Sequence, residues 1–247
     1  MDRLIYTSMT AMRGAMARQQ AVANNLANAN TVGFRGEIAN ASTRWLDGDT
    51  FRSRAEQNEQ VIGADMQQGA VTETGNPLDV AMNGKALLAV QAENGDEGYT
   101  RRGDLKITDT GLLTTGDGLP VLGESGPIVL PPADSVSIAT DGGVYIVPQG
   151  GDPNNSQRID TLRLVNPDGS QVSKGVDGLF REATGGALPV DPQAKVTSGS
   201  IEGSNVNATQ ALVQMIEASR AWESQIKMID TAKTIDDAGA SLMRLPS

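Results

Sequence analysis

Near the start of the chain the apolar positions fall at Ile5, Met9, Met12 and Met16, pass a polar Gln19, and resume at Ala23 and Leu26. The steps alternate between four and three, the spacing with which a helix buries a narrow seam against another helix. The run ends in Asn24-Asn25-Leu26-Ala27-Asn28-Ala29-Asn30-Thr31-Val32-Gly33-Phe34-Arg35. This predicts an amide-rich helix end, a glycine able to take a left-handed cap, and an aromatic able to pack back on the helix. A helix of about 24 residues is roughly 36 Å long and, with so thin a seam of Met and Ala, is marginal alone in water. It needs a partner.

A matching pattern lies at the other end. After Ser204-Asn205-Val206-Asn207, where Asn207 and Gln210 make a capping-box-like start, come Ala208, Leu212, Met215, Ser219, Trp222, Ile226 and Ile229. The pattern fades at Lys233 and Asp236 and returns at Ala240 and Met243. The spacing predicts two long terminal helices that form a coiled-coil-like domain, with Ile5, Met9, Met12, Met16, Ala23 and Leu26 facing Leu212, Met215, Trp222, Ile226 and Ile229. Spacing alone fits an ordinary domain whose terminal helices pack on each other equally well.

Between the helices the period changes. Residues 36–64 are polar and weakly periodic and predict an extended connector anchored by Trp45 and Phe51. From Asp65 onward β-branched residues recur with period two, giving candidate strands at 78–82, 86–91, 105–108, 121–122, 128–130, 136–138, 144–147, 161–165, 179–181 and 195–197. Turn dipeptides separate them: Asn83-Gly84, Asn94-Gly95, Asp117-Gly118, Asp141-Gly142, Asp168-Gly169 and Asp177-Gly178. Short strands with such turns predict a mainly antiparallel all-β insert, a sandwich or small barrel. The expected architecture is α+β: a helical domain of residues 1–39 and 204–247, a connector of 40–64 and a β-rich domain of 65–203.

Composition narrows the chemistry. With no Cys and no His, the chain holds no disulfide, no Cys/His zinc site and no Ser–His or Cys–His catalytic pair. Seven Lys/Arg against four Asp/Glu give residues 1–54 a net +3, nine against twenty-one give residues 55–204 a net −12, and four against five give residues 205–247 a net −1. The acidic middle argues against nucleic acid and anionic membrane as partners. No apolar run approaches the ~18–20 residues of a membrane span, and Arg13 and Arg18 interrupt any secretion-signal core. No phosphate-binding loop or dinucleotide fingerprint is present, and the Asp-Gly turns lack the alternating oxygen ligands of a calcium loop. Arg101-Arg102 reads as a surface or intersubunit pair, and the Met residues as adaptable packing surface. No catalytic residue, metal ligand, cofactor or small-molecule substrate is expected.

The stretch from Asn24 to Arg35 resembles the N-terminal signature of the bacterial flagellar rod and hook proteins, carried by Asn24, Asn25, Leu26, Asn28, Asn30, Thr31, Gly33 and Phe34. Four further stretches resemble the same family in the same order. They are Asn76–Ala81, Tyr99-Thr100-Arg101-Arg102-Gly103, Gly118–Gly123 and Ser198–Val206, the last including Ser204, Asn205 and Val206. The aliphatic run after Asn83-Gly84, where distal-rod and hook members carry an aromatic pair, and the short length favour a proximal-rod member.

The resemblance implies a structural, non-enzymatic subunit of the axial rod that crosses the periplasm, its terminal helices packed around an export channel. It implies other rod subunits and further copies of itself as partners, with the seam residues of both helices, from Ile5 to Leu26 and from Leu212 to Ile229, also facing the same helices of adjacent subunits as an assembly interface. It also implies passage through the flagellar type III export apparatus without a cleaved signal peptide. The alternatives are a distal-rod or hook-type subunit, a periplasmic carboxylate-dependent cell-wall enzyme, and a monomeric binding module.

Overall fold

The computed structural model describes residues 2–45, 55–152 and 155–243, with side-chain surroundings for residues 8–38, 63–152 and 155–241. Two helices, α1 (Asp2–Ala27) and α2 (Ala208–Met243), enclose a run of strands. In chain order these are β1 (Glu37–Trp45), β2 (Ala55–Ala64), β3 (Val71–Glu73), β4 (Val80–Met82), β5 (Leu87–Gln91), β6 (Glu97–Thr100), β7 (Leu105–Ile107) and β8 (Leu113–Thr115). They continue as β9 (Ala133–Ile138), β10 (Gly143–Pro148), β11 (Gln157–Thr161), β12 (Leu164–Val165), β13 (Val172–Lys174), β14 (Phe180–Glu182), β15 (Val196–Ser198) and β16 (Ser200–Glu202). The described residues fall into two compact units. The helical unit comprises 2–27, 37–45, 55–63 and 207–243, and the β unit comprises 28–36, 64–152 and 155–206.

In the helical unit α1 lies against α2, and β1 pairs with β2. Asn207 caps α2, its Oδ1 accepting the Gln210 amide at 3.1 Å. The coiled-coil-like packing expected from the heptads does not form. On α1 the buried residues are Ser8, Gly14, Ala21 and Val22, while Met9 is 44% and Met16 53% exposed. On α2 they are Ala211, Ala218 and Ala232, while Leu212 is 49% and Ile226 40% exposed.

Half of each expected seam is partly covered: Met12, Gln19 and Leu26 on α1, and Met215, Trp222 and Ile229 on α2. The other half slips by one residue in both helices, from Met9, Met16 and Ala23 to Ser8, Ala15 and Val22, and from Leu212, Ser219 and Ile226 to Ala211, Ala218 and Gln225. Small side chains at a helix contact favour close approach, whereas a coiled coil needs large knobs in the opposing holes. Met9, Met16, Leu212 and Ile226 are exposed instead. Ala218→Leu is expected to force the helices apart at a cost of about 1–3 kcal/mol, seen as a lower midpoint in thermal denaturation followed by far-ultraviolet circular dichroism.

Every strand pair whose register is described in the β unit is antiparallel. A five-stranded sheet runs β12-β5-β6-β14-β13, a three-stranded sheet runs β11-β10-β9, and β15-β4, β16-β3 and β7-β8 form two-stranded pairs. The ladder between β9 and β10 slips at Val147/Pro148, where proline has no amide to donate. β5 is central: Leu88 and Val90 enter one apolar cluster with Val80, Met82, Leu113 and Ile146, and Leu87 and Ala89 enter a second with Tyr99, Val165 and Phe180. With both faces covered, its sequence is a continuous apolar run rather than an alternating one.

The glycine of each expected turn dipeptide stands at positive φ. Asn94-Gly95, Asp141-Gly142 and Asp177-Gly178 close hairpins between paired strands. Asn83-Gly84 and Asp168-Gly169 instead join strands that do not pair with each other. Residues 121–122 and 128–130 make only isolated bridges. The connector carries β1 and β2; Phe51 and the Trp45 side chain lie outside the described residues.

Candidate functional site

Three charged side chains from distant parts of the chain meet in the interior of the β unit. Glu202, at the end of β16, is fully buried, as are Arg101, just after β6, and Arg35, just before β1. Arg35 Nη1 forms an ion pair with Glu202 Oε1 at 2.6 Å, and the Gly69 amide donates to the same oxygen at 2.8 Å. Arg101 donates to Oε2 twice, from Nη2 at 2.5 Å and Nε at 2.9 Å. Two cations against one anion leave a buried net charge of +1, which backbone carbonyls screen. Arg101 donates to the carbonyls of Met82, Gly84 and Ala86, and Arg35 to that of Gln67. Burial pulls the Arg101 guanidinium below its ordinary pKa, Glu202 opposes this, and Arg35 reinforces it.

The backbone around the triad is equally close. Gly33, at φ +67°, sits so near Arg101 and Arg102 that a Cβ would fall 2.5 Å from the Arg102 nitrogen. Its amide donates to the Glu202 carbonyl at 2.7 Å. Gly33 therefore allows two strands of backbone to touch and does not cap α1, which ends six residues earlier at Ala27. Gly33→Ala is expected to cost at least about 1–3 kcal/mol from the left-handed backbone alone, measurable as a lower denaturant midpoint.

Asn205 ties three segments together. Its Oδ1 accepts the Gly36 amide at 2.8 Å, and its Nδ2 donates to the carbonyls of Asp65 and Gln67 at 2.8 and 3.0 Å. Phe34 packs beneath the Lys174 ammonium, 3.7 Å from the ring centroid. Asn28 Oδ1 accepts the Thr31 hydroxyl at 3.1 Å, and Ser204 Oγ accepts the Val206 amide at 3.2 Å. Val206 is half-buried and Asn30 is exposed.

Within the helical unit the other two motif asparagines hold the start of β1. Asn25 donates from Nδ2 to the Glu37 carbonyl at 2.9 Å and accepts the Glu37 amide at 2.7 Å, so its side chain pairs with the strand as a neighbouring backbone would. Asn24 Nδ2 reaches the Glu37 carboxylate at 2.5 Å.

Arg102 bonds Asp104 and Asp117, at 2.7 and 2.6 Å. Among the described residues no group of three or more acidic side chains is placed to hold a metal ion. Tyr99 is buried with its hydroxyl oxygen accepting the Leu188 amide at 2.7 Å. Burial raises its pKa from 10.0 to about 12, the Leu188 amide opposing. The fold thus favours the neutral phenol, a contribution present below pH 10.0 and lost as pH rises toward 12. Alkaline titration by ultraviolet absorbance should show one of the three tyrosines ionising near 12, with the denaturant midpoint falling over the same range.

Comparison with known proteins gives the constellation its context. The chain is 40% identical over 245 residues to the flagellar basal-body rod protein FlgF of Escherichia coli (strain K12), covering 97% of this chain and 96% of that one. The chain belongs to the flagellar basal-body rod protein family. It is also 34% identical to FlgF of Caulobacter vibrioides over 93% of both chains, and 31% identical to FlgG of Bacillus subtilis over 95% of this chain and 97% of that one. Three family models match in order: "Flagella basal body rod protein" over residues 5–35, "Flagellar hook protein FlgE/F/G D1 domain" over 81–146, and "Flagellar basal body rod FlgEFG protein C-terminal" over 197–242. Each matched segment of this rod protein supplies one member of the triad: Arg35, Arg101 and Glu202.

The residues expected at an assembly seam are distributed differently. Met9, Met16, Ala23, Leu212 and Ile226 are exposed; Met12, Leu26, Met215, Trp222 and Ile229 are half-buried. The side chain of Ile5 lies outside the described residues. The triad itself was hidden in the sequence, because Arg101-Arg102 has the look of a surface pair. The available signal was that Arg35, Arg101 and Glu202 each stand inside a stretch resembling the family.

Proposed function

We propose that this structural subunit of the flagellar basal-body rod takes a proximal-rod position and polymerises through its helical unit. The observation that carries this reading is the outward apolar surface of the helices. Ile216, Ile226 and Ile235 on α2, with Met9 and Met16 on α1, stand 40–55% exposed, although the same helices offer a small-residue face for their own contact. Large solvated aliphatic side chains on long helices are costly in a free chain and stabilising once neighbours cover them, each contributing about 1.5–3 kcal/mol when fully buried. The neighbours are rod-subunit helices, including further copies of this chain, arranged around an axial channel. The subunit reaches the periplasm through the flagellar type III export apparatus. The similarity is higher to the FlgF than to the FlgG relative, which supports the proximal position.

The test is replacement of the resident gene by one encoding an epitope-tagged chain, followed by purification of basal bodies. The reading expects the chain in the rod fraction, in few copies, with motility retained. Recovery only as a soluble monomer contradicts it, and long homopolymers would assign a distal-rod or hook-type role.

A further inference from the structure

We infer that the β unit contains a completion latch: it becomes stable only when the segment Gly199–Asn205, which precedes α2, has docked. This concerns folding of the chain itself and stands apart from the assembly reading. Three observations carry it.

First, without Glu202 the β unit would hold Arg35 and Arg101, each no more than 1% exposed, with no anion between them. Such a site does not stay closed, since burying like charges without a counterion is strongly unfavourable. Second, the Arg101 site is built into the core. Its carbonyl partners Met82, Gly84 and Ala86 form the link from β4 to β5, the strand at the centre of both apolar clusters. Third, the same segment supplies β16 as the partner strand of β3, and Glu202 and Asn205 bond Gly33, Gly36, Asp65, Gln67 and Gly69. The partners of Glu202 lie 101 and 167 residues away in sequence, so local structure cannot supply the closure.

The consequence is an order of events. A chain delivered from its N-terminus leaves its β unit open until residue 202 is available. Residues 28–36, which follow α1, and residues 199–206, which precede α2, are then fixed in one step.

Hydrogen exchange with mass spectrometry on the full-length protein in increasing denaturant tests this. Peptides covering 30–37, 64–70 and 199–206 report the latch; peptides covering 86–92 and 143–148 report the core. The latch predicts that both sets exchange through one common opening, and that Glu202→Gln speeds exchange of both by the same factor, at least about a hundredfold. If Glu202→Gln does not fold, Asn205→Ala, which removes three of the hydrogen bonds and no charge, should speed both sets equally by a smaller factor. Latch peptides that exchange a hundredfold faster than the core in the unsubstituted protein would overturn the inference. So would a variant that loosens the latch peptides alone.

Discussion

Replacing Glu202 with alanine is expected to destabilise the β unit by about 3–5 kcal/mol, the largest single-site loss of stability in the chain. The substitution removes three hydrogen bonds and the Arg35 ion pair from one carboxylate and leaves two guanidinium groups facing each other in the interior. Desolvation of the unpaired cations, rather than the lost attraction, dominates the cost. The combined replacement Arg35→Met, Arg101→Met and Glu202→Leu should therefore be less damaging than Glu202→Ala alone. Three charges leave together, and residues of similar volume fill the space. Chemical denaturation checks both, provided the probe reports the right unit. Trp45 and Trp222 both lie in the helical unit, so near-ultraviolet dichroism of the buried Tyr99 is the suitable signal. A triple variant less stable than Glu202→Ala would mean that the carbonyls around Arg101, not the ion pairs, hold the site.

The second large effect falls on assembly and leaves the free protein nearly untouched. Ile216 is 55% and Ile226 40% exposed, so Ile216→Asp with Ile226→Asp should change the stability of the monomer by less than about 1 kcal/mol in total. On the proposed reading neighbouring helices cover the same positions in the rod, where two buried carboxylates without partners are prohibitive. Incorporation into purified basal bodies should drop below detection and swimming should stop, with circular dichroism and denaturant midpoint preserved. Trp222→Asp, at a half-buried position, should also prevent incorporation while sparing the β unit, but at some cost to the helical unit itself. Normal incorporation of the double isoleucine variant would remove the outward face from the assembly account.

Much of the β unit was legible from local signals, because turn chemistry and β-branched runs are short-range. Asn94-Gly95, Asp141-Gly142 and Asp177-Gly178 marked real hairpins, since the backbone they require is one few other residues adopt. Strand pairing across sequence was not legible. Nothing local marks Val71–Glu73 and Ser200–Glu202 as partners, and the pairing of β16 with β3 comes from the closure that places Glu202 between its arginines.

The helices teach the opposite lesson. Their existence and period are plain in the sequence, but the spacing gives one seam of the largest apolar residues for both the contact within the pair and the contact with adjacent subunits. In the structure the fully buried positions are small, among them Ser8, Gly14, Ala21, Ala211 and Ala218, while Met12, Leu26, Met215, Trp222 and Ile229 are half-buried and Met9, Met16, Leu212 and Ile226 are exposed. A sequence whose apolar residues serve two different partners shows one merged stripe, and hydropathy alone cannot divide it. Gly33 and Phe34 were misplaced for a related reason. Both fit a helix end by composition, while the geometry commits them to the β unit, against Arg101 and Lys174.

The most direct measurement of the central claim is photo-crosslinking in living cells from a benzophenone side chain at position 226, with the captured peptides identified by mass spectrometry. The account predicts adducts to α1 or α2 segments of neighbouring rod subunits, absent when rod assembly is blocked. Adducts confined to this chain's own α1, unchanged by that block, would show that the face at Ile226 closes within the monomer and would contradict the account.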